Sequence, residues 1–163
     1  MTPAAIREQF FSVLNDTEKN ISAFVKNPGS DMSRHRACSF SDTVNATLCF
    51  GMNRTNTELL NFFGLTRKTV PSKSAFSQQR KKLNSGLFPH LLRSFNNAIP
   101  MTKMYNGFHL AAVDGSDLNL PTDKNDSVYR VKHASSDNCY FQMHVNALYD
   151  ICENRYISAV TQP

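Results

Sequence analysis

The chain has 163 residues, 40% of them hydrophobic and 12 of them Phe, which suits one domain, or a small helical domain with part of another. This apolar content excludes wholesale disorder, and no apolar run approaches the roughly 20 residues that a membrane-spanning helix needs. The net charge of +5 is unevenly spread: 14 Lys and Arg against 6 Asp and Glu up to His109 (+8), then 4 against 7 from Leu110 onward (−3).

A basic front half suits a polyanion, and an acidic back half suits something cationic. The N-terminus carries Glu8 and lacks the charged-then-apolar order of a signal peptide, so a cytoplasmic chain is expected. Cys38, Cys49, Cys139 and Cys152 form no Cys-X-X-Cys pair and no zinc-ligand spacing, which reads as reduced, packed thiols.

The first hundred residues read as helices broken by polar turns. Ile6, Phe10, Val13 and Leu14 give a helix over 4–14, and Ile21, Phe24 and Val25 a second over 17–25, ended by Pro28-Gly29-Ser30. Residues 32–36, with Arg34 and Arg36, read as a cationic loop, and 41–49 as a third helix. Thr55 to Glu58 is a capping-box pattern opening a helix that Gly64 closes. A turn then leads to a helix rich in Ser, Gln and Arg over 72–83, which together outline a helix-turn-helix. Arg67, Lys68, Lys73, Arg80, Lys81 and Lys82 are six cations without an intervening acid. Such cations bind phosphates, while Gln and Ser reach base edges; a plain solvated helix face is the bland alternative. Residues 87–99 form a further amphipathic helix, stopped by Pro100.

Beyond Gly107 the period changes. The apolar run Phe108 to Val113 reads as a buried strand, with Asp114 where the strand leaves the core and Gly115-Ser116 as a turn. A carboxylate fixed there suits a hard cation such as magnesium, although Asp-Gly is also an ordinary turn former. Residues 121–137 read as a loop. From Tyr140 to Asp150 the pattern alternates: Phe141, Met143, Val145, Ala147 and Tyr149 on one face, Gln142, His144, Asn146 and Asp150 on the other. Cys152 to Asn154 is a turn, and 156–160 returns as a third strand, completing a meander. A three-stranded meander needs cover on its apolar face, so the chain looks unfinished.

Val113-Asp114-Gly115-Ser116 with Leu118 and Leu120-Pro121, then His144 to Asp150, then Tyr156 to Val160 and Gln162-Pro163, resembles the start of an IS-four-type insertion-sequence transposase. Ser74 to Gln78 followed by Arg80-Lys81 resembles the segment that precedes the catalytic domain in that family. The resemblance implies an α+β chain: an all-helical DNA-binding region over 1–100, then the first three strands of an incomplete ribonuclease-H-like catalytic domain over 101–163. It implies Asp114 as the first catalytic, magnesium-binding acid, insertion-sequence DNA ends as partner, and leaves open a homodimer in the full-length form. The family's second Asp and its Glu have no counterpart here, so a fragment that binds DNA without catalysis is expected. Two alternatives stand beside it: a helix-turn-helix regulator without catalysis, and a small metal-dependent hydrolase using Asp114, Asp117 and His144.

Overall fold

The computed structural model describes residues 1–33, 38–65, 69–122, 127–132 and 139–163. They form five α-helices, α1 (Pro3–Lys19), α2 (Phe40–Cys49), α3 (Thr55–Leu65), α4 (Lys73–Arg80) and α5 (Leu87–Ala98). Four strands follow: β1 (Ala111–Asn119), β2 (Arg130–Lys132), β3 (Cys139–Asp150) and β4 (Arg155–Gln162). The mixed α+β class is as the sequence implies. Two compact units divide the chain, Met1–Ala98 and Ile99–Pro163. No described helix is long and apolar enough to cross a membrane.

Helix starts in the first unit are set by local capping. Thr2 accepts from the Ala5 amide ahead of Pro3, and Ser39 and Asp42 exchange side-chain and backbone hydrogen bonds at the start of α2. α1 runs to Lys19, so no separate helix begins at Thr17 as the sequence suggests. The Thr17 hydroxyl donates to the Val13 carbonyl at 2.8 Å, inside the continuing helix, and only a 3-10 turn over Ile21–Ala23 follows. α3 likewise passes through Gly64 to Leu65, because Gly64 does not adopt the positive φ of a closing glycine.

Two apolar clusters fill this unit. One gathers Leu14, Phe40, Val44, Leu83, Leu87 and Leu91, and the other Cys38, Ala46, Leu59, Phe63 and Phe76. Each fully buried Leu, Val or Phe contributes about 1.5–3 kcal/mol. α2 supplies residues to both clusters. After α1, Val25 pairs with Leu83 in an isolated antiparallel bridge, with Lys26 N donating to Lys82 O at 2.8 Å and Asn84 N to Phe24 O at 2.9 Å.

The second unit is built on β3, which pairs antiparallel with β1, β2 and β4. The sheet thus has four strands rather than three, β2 lying within the stretch read as loop. The first strand is also displaced. Asn106 and Gly107 take positive φ in a tight turn closed by reciprocal Tyr105–Phe108 hydrogen bonds, so β1 begins at Ala111 rather than Phe108. It runs to Asn119 and is exposed along its whole length, not buried. The turn after β3 fastens the segment before β1. Buried Asp150 accepts from the Cys152 and Glu153 amides, Glu153 from the Lys103 and Thr102 amides, and Ile99 O from Arg155.

The expected capping box at Thr55 and Glu58 takes another form. Thr55 already lies in α3, and Glu58, nearly buried, accepts instead from the Gly51 and Asn53 amides, both at 3.0 Å. Glu58→Ala should destabilise the chain by about 1–3 kcal/mol, since it strands two partly buried donors. Glu58→Gln keeps an acceptor and should lose much less. Urea midpoints of the two variants check this ordering, and equal midpoints would show that water satisfies the loop.

Candidate functional site

α4 begins where Ser72, at its N-cap, accepts from the Ala75 amide at 3.2 Å. Phe76 and Gln79, three residues apart, face inward; Phe76 lies 5.1 Å from Phe50 and packs against α2 and α3. This anchoring turns Lys73, Gln78, Arg80 and Lys81 to solvent, with Lys82 half-buried. Lys73 and Arg80 are seven residues apart, two turns, so they share a face ~10 Å apart along the axis. None of Lys73, Arg80, Lys81 and Lys82 makes an ion pair or side-chain hydrogen bond among the described residues. Arg80, Lys81 and Lys82 also sit at the helix C-terminus, which favours cations.

Of the expected helix-turn-helix, α3 and α4 share one core with α2. Arg67 and Lys68, like Arg34 and Arg36, lie outside the described residues. One cation escaped the sequence reading. The Val25–Leu83 bridge draws Lys26 to a pocket it shares with Arg80, a pairing that no spacing between positions 26 and 80 would announce.

The sheet separates Asp114 from the other two residues of the hydrolase alternative, Asp117 and His144. Asp114 is not at the mouth of a strand but within β1, opposite Ala147, and it accepts from the Gly115 amide at 2.9 Å. Its neighbours on that face are Ala112 and Ser116, two residues either side. Asp117, three residues on, points to the other face, opposite His144. One carboxylate and one hydroxyl do not fit a magnesium site, because the ion keeps most of its water unless several oxygens replace it. Among the described residues no three His, Cys, Asp or Glu side chains converge.

Asp117 and His144 do meet, with Oδ1 and Nδ1 2.7 Å apart. His144 Nε2 lies 3.3 Å from Asn146 Oδ1, and Asn146 Nδ2 donates to Gln162 Oε1 at 3.5 Å. The glycine at 115 is what lets the ring lie there, since a Cβ would fall 2.7 Å from Nε2. Gly115 is therefore a close-approach residue rather than a turn. The hydrogen bond to Asp117 raises the His144 pKa above the ordinary 6.5. The network joins β1, β3 and β4 but has the makings of a polar brace more than a reaction centre.

No protein-family model matches the chain, and neither the curated proteins nor the solved structures contain a match to it.

The raised pKa fixes a sign. The Asp117–His144 pair stabilises the sheet fully below the unfolded His value near 6.5, and this contribution fades as pH rises through the higher folded value. In an NMR titration Asp117→Asn should move the His144 midpoint downward, towards 6.5. An unmoved midpoint would show that the contact does not form in solution.

Proposed function

We propose that this chain is a DNA-binding portion of an IS-four-type insertion-sequence transposase. The observation that carries the reading is α4, which presents Lys73, Arg80, Lys81 and Lys82 without ion-pair partners among the described residues, with Gln78 exposed beside them. Cations already free of acids contact phosphates without first giving up another partner. Binding then draws on counterion release, and an exposed Gln is a side chain able to meet base edges.

Further support is the order of parts: a helical unit, then an antiparallel meander of β1, β3 and β4 with Asp114 on its first strand. This accords with the resemblance to the opening of a ribonuclease-H-like catalytic domain. A second reading, a DNA-binding regulator without catalysis, is favoured by one observation: Asp114 has Ala147 opposite it and no acid beside it on its face. Both readings share the binding step and differ only in what Asp114 is for.

Changing Arg80, Lys81 and Lys82 together to Ala should weaken duplex binding and flatten the salt slope by about three units at most. Fluorescence anisotropy across a salt series checks this; an unchanged slope would reduce α4 to a solvated face.

No metal-dependent cleavage or joining of DNA is expected from this chain, because a two-metal displacement needs several carboxylates to hold the ions. Asp114→Asn should therefore be silent both in binding and in a nicking assay on supercoiled plasmid. Magnesium- or manganese-dependent nicking that disappears in Asp114→Asn would instead establish a self-sufficient nuclease.

A further inference from the structure

The two segments joined by the Val25–Leu83 bridge are held in register by the Lys26–Lys82 and Asn84–Phe24 backbone hydrogen bonds. This brings Lys26, from the chain after α1, to the end of α4 and the start of α5. There a pocket of about 480 Å³ is lined by Lys26, Arg80, Asn84 and Ser85 over the apolar floor of Leu83 and Phe88. Two cations, a carboxamide and a hydroxyl line it, and among the described residues no acid does.

The rim is fixed by more than the bridge. Asn84 Oδ1 accepts from the Gly86 amide at 3.0 Å and Asn84 O from the Leu87 amide at 3.2 Å, which sets the direction of the first turn of α5. The amides of Ser85 and Phe88 donate to nothing among the described residues. The positive end of a 12-residue helix thus opens beside two unpaired cations. A carboxylate partner would need only one of these features. The planar fork of Arg80, the point charge of Lys26 and free amides together match the several oxygens of a phosphate.

We infer that this pocket seats a backbone phosphate of duplex DNA, extending the α4 surface across the bridge to Lys26. The inference rests on the DNA-binding reading above and adds a contact that the run from 67 to 82 does not contain. It makes Lys26 a phosphate ligand and Ser85 a hydroxyl donor at the same group.

The test uses the whole chain and a duplex probe, read by fluorescence anisotropy between low and moderate salt. Lys26→Ala removes one phosphate contact. It should lower the salt slope by about 0.9 and, at about 0.1 M salt, weaken binding about eightfold, the equivalent of one released counterion. Ser85→Asp places an anion on the rim and should weaken binding further. Lys19→Ala serves as control, since Lys19 is exposed and already paired with Asp16 at 2.7 Å, and it should leave the slope unchanged. Circular dichroism melting confirms that each variant folds. Wild-type binding with the same slope in Lys26→Ala overturns this inference and leaves the α4 reading standing. Equal losses in Lys26→Ala and Lys19→Ala overturn it too, by reducing the effect to net charge. Absence of duplex binding by the wild-type chain overturns both.

Discussion

Burial of α2 on two sides is the constraint on which the helical unit depends. Thr43, Val44 and Ala46 are each 0% exposed, with Val44 in one apolar cluster and Ala46 in the other. A helix walled in on both sides cannot rotate without emptying one cluster, so the two cores hold each other in place. Thr43 lies between them, and its hydroxyl is spent on the Ser39 carbonyl at 2.7 Å, so its polarity costs little there. From α2 the constraint passes to α4 through Phe76, and from α4 to the direction in which Arg80 and Lys81 point. The charge display is a consequence of aromatic packing on the opposite side of the same helix.

The second unit depends on hydrogen bonds where the first depends on apolar burial. Among the described hydrophobic side chains of the sheet, Phe141 alone is buried, while Val113, Leu118, Tyr156 and Val160 stand exposed. What orders this unit is β3, with β1 and β4 along its length, and the Asp150 turn that ties the chain before β1 to the hairpin. Asp150 illustrates the cost of that arrangement. It is fully buried, one oxygen accepts two amides, and the other has no hydrogen-bond partner among the described residues, with the His109 ring 3.7 Å away. A buried carboxylate held this way fixes a turn firmly and leaves little tolerance for substitution.

Electrostatics divides along the same line. In the helical unit Lys26, Arg80, Lys81 and Lys82 lie close to one backbone bridge and have no ion-pair partner among the described residues, whereas Lys19 is paired with Asp16. Three of the sheet's described acids are already engaged: Asp117 with His144, Glu153 with the Lys103 and Thr102 amides, Asp150 with its own turn. Free cations are available to a polyanion; engaged carboxylates are structural. Asp114 lies between these cases, exposed and, among the described residues, bonded to the next amide alone.

What the sequence determined by itself was short-range. Pro100 beyond α5 acts within a few residues and is found as read, and the stretch from Tyr140 to Asp150 is a strand as read, although its burial does not alternate and Asp150, read on the polar face, is fully buried. The cation run on α4 was legible for the same reason, since charge and helical spacing are local. Tertiary structure decided the rest. Whether β1 starts at Phe108 or Ala111 was settled by the Asn106-Gly107 turn and by pairing with β3, some thirty residues further on. That pairing placed Asp114 and Asp117 on opposite faces and turned Gly115 from a turn former into a seat for His144. Lys26 became a neighbour of Arg80 only through a bridge between distant segments. Periodicity and capping report what a residue does to its own turn of chain, whereas strand register and long-range bridges depend on which distant backbone donors and acceptors find each other.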